Sequence, residues 1–299
     1  IRTLQYAVRQ TQKIGWFGAH YALTQRQAVA GNPRKLERER QTDVIGPTED
    51  IGWDILGRGI LDLIRKDARA IRQGVYLPPA RENITPGRAI RDSIRYFREV
   101  AAVNRRRAAD AHSEVFTPGR KDRYPRYYLQ NFHYQSDGYL SDRSAKLYDY
   151  QVEVLFAGMA DAMRRRCLPP LFASLDGDTG GRVVDIACGT GRFLAELHRN
   201  RPDLALTGVD LSAPYLAKAA EACPSATLIE ANAEALPLED SSADAVVSIY
   251  LFHELPPKAR LAALKEMARI LKPGGRLILG DSLQFGDWPA VDRLLELFP

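Results

Sequence analysis

Two glycines with a carboxylate on either side, each at a fixed distance, are the residues of this chain best suited to hold a ligand. In VVDIACGTGRF, Val183 to Phe193, an apolar run reaches Asp185, crosses Ala187-Cys188-Gly189-Thr190-Gly191 and enters a helical pattern, giving strand, tight turn and helix in about ten residues. Gly189 and Gly191 permit positive φ and a close approach of backbone to ligand. Asp185 sets the sign of charge: a carboxylate at the strand's end repels a pyrophosphate and attracts an ammonium, which favours S-adenosylmethionine with its amino-acid tail over a phosphate-bearing cofactor. A dinucleotide site would require a third glycine, and Leu194 occupies that position. Nineteen residues beyond Gly191, a second apolar strand ends in Asp210, placed to accept hydrogen bonds from both hydroxyls of a ribose. Asn232 follows a third strand-like run, where its amide and the Ala233 N–H are placed to read an adenine edge.

Taken in order and spacing, VVDIACGTGRF, GVDLS, ANAEALPL, DAVVSIYLFHEL and LKPGGRLILGD resemble the class I S-adenosylmethionine-dependent methyltransferases over roughly Gly181 to Asp281, and within them the ubiquinone and menaquinone biosynthesis branch. That branch usually carries Asp where Asn232 stands. The resemblance implies a Rossmann-like, doubly wound α/β fold with a parallel sheet. The expected cofactor-binding residues are Asp185, Ala187, Cys188, Gly189, Thr190, Gly191, Asp210, Leu211, Asn232, Ala233 and Tyr250. Cys188 is expected to serve packing in the turn rather than as a nucleophile.

The elements that must position these residues alternate as a parallel sheet with crossover helices requires. Ser212 caps a helix carrying Pro214 in its first turn, Asp244 to Tyr250 reads as a buried strand, Leu261 to Leu271 as a helix, and Gly274-Gly275 turns the chain into a strand over Arg276 to Gly280. A last helix is predicted from Trp288 to Phe298. The family's sheet then continues into an antiparallel pair for which no residues remain, so the sequence is expected to be cut short. Ile1, where a natural chain would start with Met, points the same way at the other end.

Three regions are predicted: a helical, basic region over 1–123, a lid or substrate segment over 124–170, and the S-adenosylmethionine-binding core over 171–299. Of the 299 residues, 45% are hydrophobic, enough for a sizeable core. No apolar run of about 18 residues predicts a membrane span, and no signal peptide opens the chain. Three dispersed cysteines argue against disulfides and a zinc site, so a reducing cytoplasm is the expected compartment and no metal is expected. Residues 1–126 hold 25 Lys and Arg against 14 Asp and Glu, a net +11, while the remainder is net −6, summing to +5. Within this basic part, Ile90, Ile94, Phe97 and Ala101 form an apolar stripe bordered by Arg91, Arg95 and Arg98. That pattern serves core or homodimer contact more often than peripheral binding to anionic lipid, and the latter stays open. Interleaved aromatics and arginines near the start would suit nucleic acid, but without an RNA-binding motif this is the weaker reading.

The tyrosine-dense segment before the core resembles, in position, the lid that folds over the methyl donor in this superfamily. Of Tyr127, Tyr128, Tyr134, Tyr139 and Tyr148, most are expected to be packing and one or two to wall the site, Tyr139 first because Gly138 and Ser141 flank it. If the acceptor is a hydroxyl or an enol carbon, a base helps. His253, just past the fourth strand, is the candidate, with Glu254 and Asp281 behind it. YLFHELPPK also partly resembles the His-Asp-Trp motif of plant small-molecule O-methyltransferases, whose histidine is the base. The reading is therefore methyl transfer to O or C of a small apolar or aromatic acceptor. A nucleic-acid or protein methyltransferase recruited by the basic region, and a cofactor-binding protein without turnover, are the alternatives. The Asp/Asn-Pro-Pro-Tyr motif of base-amino methyltransferases is replaced by Tyr250-Leu251-Phe252-His253.

Overall fold

The computed structural model describes residues 2–30, 53–80, 86–108, 118–129, 137–175, 180–283 and 286–287. Tyr134 and the expected C-terminal helix from Trp288 to Phe298 lie outside them. The helices are α1 (Arg2–Ala30), α2 (Trp53–Arg72), α3 (Pro86–Ala108), α4 (Pro118–Lys121), α5 (Asp142–Leu155), α6 (Ala160–Arg165) and α7 (Leu168–Ser174). There follow β1 (Arg182–Ile186), α8 (Arg192–Asn200), β2 (Ala205–Asp210), α9 (Ala213–Ala222), β3 (Thr227–Glu230), β4 (Ala243–Ile249), α10 (Pro257–Ile270) and β5 (Leu271–Gly280).

The five strands form one sheet, in the order β3-β2-β1-β4-β5, with every pairing parallel. The order reverses between β1 and β4, and the crevice outside the carboxyl ends of strands at such a switch point is where open α/β sheets bind ligands. The central strands β1 and β4 are buried on both faces because both are covered. Val183, Ala245 and Val247 pack with Leu168, Leu171, Leu194 and Leu197, whereas Val184, Ile186 and Val246 pack with Ala263, Met267 and Ile270 of α10. Fully burying one such Leu or Ile stabilises the fold by about 1.5–3 kcal/mol.

The N-terminal helices join the first of these cores. Tyr6, Ala70, Ile71 and Tyr76 belong to the same apolar cluster as Leu168 and Leu171. Beneath them, the Asp67 carboxylate, fully buried, accepts hydrogen bonds from the Tyr6 and Tyr76 hydroxyls at 2.5 Å and from Arg165 Nε and Nη2 at 3.1 and 2.6 Å. This knot ties α1 and α2 to α6. The apolar stripe expected on α3 does not face the core; residues outside it do. Tyr96, Val100 and Val103 are buried, while Ile90 and Ile94 are exposed.

Candidate active site

Between β1 and α8 the backbone adopts left-handed φ at Ala187 (61°), Gly189 (56°) and Gly191 (75°). Gly191 serves as the N-cap of α8, and a Cβ there would sit 2.8 Å from the Ala219 Cα, so only glycine lets α8 start against α9. Across the switch point, Tyr250 at the end of β4 is also left-handed (φ 63°). Two non-glycine residues in this region, one at the end of each central strand, store strain of about 1–3 kcal/mol each, which native folds keep where it shapes a site.

A crevice at these strand ends is lined by eight of the thirteen residues the sequence singled out: Ala187, Gly189, Asp210, Leu211, Asn232, Ala233, Tyr250 and Tyr139. Asp210 does more than expected of it. One carboxylate oxygen accepts from the Gly189 N–H at 2.8 Å and the other from the Ser212 N–H at 2.9 Å, so the residue clamps the glycine turn and still has lone pairs for a ribose. Asn232 lines the crevice, but its side-chain oxygen accepts from the Glu234 N–H (3.0 Å) and its amide donates to the Glu234 carboxylate (3.2 Å), a local turn the adenine reading did not foresee.

The remaining five support the crevice from behind or beside it. Asp185 is buried in β1. The Cys188 thiol is buried and packs near Gly208; burial and the charges of Asp210 and Asp185 raise its pKa, making it a packing group rather than a nucleophile. The Thr190 hydroxyl donates to Asp149 on α5 at 2.7 Å, turned towards the N-terminal helices. Beside it, Arg192 binds Asp161 of α6, and Asp161 also binds Lys13 of α1. The glycine turn is thus fixed on one side by Asp210 and on the other by charges from three helices.

More tyrosines meet at the crevice than the one or two the sequence led us to expect. Tyr127, Tyr128, Tyr139 and Tyr148 line the crevice, joined by Tyr215 of α9, which the sequence reading missed because nothing local distinguishes it from a core residue. Tyr139 lies edge-on to Tyr148 and Tyr215, at centroid distances of 6.0 and 5.6 Å. Its segment is pinned: the Ser212 hydroxyl donates to the Tyr139 carbonyl at 2.5 Å, and that of Ser144 to the Gly138 carbonyl at 2.7 Å. The Tyr139 hydroxyl donates to Glu254 at 3.1 Å. Burial raises the hydroxyl pKa of Tyr139, Tyr215 and Tyr250, and that of Tyr148 to about 12, so all four are neutral donors at pH 7.

His253 stands beside the crevice, in a short turn with Glu254. Its Nδ1 lies 2.7 Å from Asp281 and its Nε2 3.4 Å from Glu254. Burial lowers its pKa, but hydrogen bonds to Asp281 and Glu254 outweigh this and raise it to about 9. Asp281 also accepts from the Phe252 N–H at 2.6 Å, fixing the turn that carries Glu254 into the crevice lining. The two acidic residues on the cofactor side are raised as well. Burial lifts Asp185 to about 8, aided by the charge of Asp210 and opposed by Arg164. Burial lifts Asp210 to about 6 against the backbone N–H groups that hold it. A carboxyl in the crevice and one buried behind it, both pushed up by burial, would gain their charged forms from a cation brought near them.

Residues 183–275 match the methyltransferase domain family. A demethylmenaquinone methyltransferase of Beutenbergia cavernae is 34% identical over 140 residues, 47% of this chain and 55% of that relative. A ubiquinone/menaquinone biosynthesis C-methyltransferase of Syntrophotalea carbinolica is 34% identical over 144 residues, 47% of this chain and 58% of the relative. The chain thus spans somewhat more than half the length of these curated relatives. Among solved structures, the sugar N-methyltransferase KedS8 from a Streptoalloteichus species is 24% identical, with a TM-score of 0.39 over 47% of this chain and 56% of the other. The matched region is thus similar to class I methyltransferase domains, those of the quinone-biosynthesis branch among them, and the cofactor this likeness points to is S-adenosyl-L-methionine. The residues present suit it. The glycine turn leaves the backbone bare, the Asp210 carboxyl lines the crevice, and the Tyr250 hydroxyl is buried with no hydrogen-bond partner among the described residues.

Proposed function

We propose that the protein transfers a methyl group to O or C of a small apolar or aromatic acceptor lying between the glycine turn and the tyrosine wall. The observation that carries this reading is the crevice itself, whose lining brings Asp210 and Asn232 together with Tyr139, Tyr148, Leu251 and Glu254. S-adenosyl-L-methionine, when bound, supplies an electrophilic methyl. Asp210 would hold its ribose, and Asp185, from behind the turn, would supply charge opposite its ammonium. The tyrosines exclude water and fix the acceptor; orientation in a dry cleft contributes up to about 7–11 kcal/mol to such reactions.

His253 does not suit the base role in this arrangement, because a group with a pKa near 9 already carries its proton at pH 7. Glu254 does, since besides Asp210 it is the one carboxylate in the crevice lining among the described residues, held by Tyr139 and His253. His253 then acts as a positioning residue. The names of the curated relatives favour a quinone-type acceptor, and no observation favours nucleic acid, protein or loss of turnover. The test follows labelled methyl from S-adenosyl-L-methionine into demethylmenaquinol, a single-stranded oligonucleotide and a mixed protein extract. Transfer to the quinol, reduced about 100-fold or more in Glu254→Gln with cofactor affinity kept, supports the proposal. Transfer to the polymers alone overturns it, and full activity of Glu254→Gln removes that residue as the base.

A further inference from the structure

The outer face of α1 and α3 is not used by the crevice, and its chemistry is unusual. Trp16, Ile90 and Ile94 are 41, 56 and 47% exposed, and with Phe97 and Ala101 they line one shallow apolar groove. The Trp16 indole N–H donates to the Tyr150 hydroxyl at 3.1 Å, so the ring is held in place with its polar atom satisfied. Leu23, two turns further along α1, is also exposed, at 46%. One position round the helix from the isoleucines runs a second row, Arg91, Arg95 and Arg98, all exposed. Asp92 is the one acidic residue beside this row on α3, lying 3.7 Å from Arg88 and 3.6 Å from Arg95, while Glu99 is buried and paired with Arg143. The segment from Pro86 to Ala108 carries seven arginines against two acids, a net +5.

We propose that this face docks on an anionic bilayer surface, with Trp16, Ile90 and Ile94 entering the headgroup boundary and the arginine row meeting the lipid phosphates. Charge selects this occupant over the others. A second copy of the chain packed by a two-fold axis would set one arginine row against the other. A nucleic acid would satisfy the arginines but leave both isoleucines in water, whereas an anionic interface satisfies both rows together. The face lies on helices packed against α5, whose Tyr150 holds Trp16 and whose Tyr148 lines the crevice. The inference rests on the two helices alone and does not depend on methyl transfer.

Flotation of the intact protein with vesicles of phosphatidylcholine, with and without about 30% phosphatidylglycerol, tests it directly. The expected result is recovery with the anionic vesicles only, falling as salt is raised from about 0.1 to 0.5 M. Ile90→Ser/Ile94→Ser and Arg91→Gln/Arg95→Gln should each reduce it, the latter about fivefold per arginine, with unchanged circular dichroism. Equal recovery with neutral vesicles, or none with either, overturns the proposal, and these wild-type outcomes decide it even if a variant misfolds. So do binding to a single-stranded oligonucleotide that Ile90→Ser/Ile94→Ser leaves intact, and a dimer in ultracentrifugation that the same variant dissociates.

Discussion

At the scale of single residues, the acidic pair makes the sharpest demand. Asp185, raised to about 8 by burial, is mostly protonated at pH 7 in the free protein. An ammonium brought opposite it favours the charged form, so cofactor binding should release up to about one proton at that pH. Calorimetry in buffers of different ionisation enthalpy reads this directly, and binding without proton release would contradict the placement of Asp185 against a cation. His253 gives a prediction of opposite sign. Its folded pKa of about 9 exceeds the ordinary value near 6.5, so its ion pairs stabilise the fold fully below about pH 6.5 and the contribution is lost as pH rises through 9. Melting temperature should fall over that window in the wild type and stay flatter in His253→Ala; parallel profiles would refute it. Residues whose task is local could be read from the sequence. The glycine turn, Asp185 and Asp210 are fixed by a strand, a turn and a spacing. Residues whose task depends on a distant partner could not: Tyr139 meets Glu254 across 115 positions and Thr190 meets Asp149 across 41, and neither pairing leaves a mark in the chain.

At the scale of elements, the parallel sheet and its helices were readable because strands covered on both faces carry apolar runs, as Val183-Val184 in β1 and Ala245-Val246-Val247 in β4 do. What periodicity could not show is how the N-terminal helices attach. The answer is a buried polar knot, with Asp67 on α2 receiving Arg165 of α6 and two tyrosines. Breaking such a pair leaves an uncompensated buried charge, at about 3–5 kcal/mol. Asp67→Ala should lose that much stability in urea unfolding; a loss below about 1 kcal/mol would show that the helices are held by apolar contact alone. The same logic explains why the glycine turn resists drift. Lys13, Asp161 and Arg192 join α1, α6 and α8 behind it, so the N-terminal helices bear on the cofactor crevice without entering it.

At the scale of the whole molecule, charge and chemistry are divided. The carboxyl-poised crevice lies at the switch point of the sheet, and the arginine-rich face lies on the helices that the first apolar core and the Asp67 knot tie to it. No helix among the described residues is long and apolar enough to cross a membrane. Every part of the functional account depends on a cationic nucleoside occupying the crevice, and titration of the purified chain with S-adenosyl-L-methionine, its demethylated product and a nicotinamide dinucleotide tests that most directly. The account predicts one-to-one binding of the first two, weakened at least about tenfold in Asp210→Ala and progressively as pH falls from about 8 through 6, with no heat from the dinucleotide. Binding of the dinucleotide, or of neither sulfur compound, would contradict it.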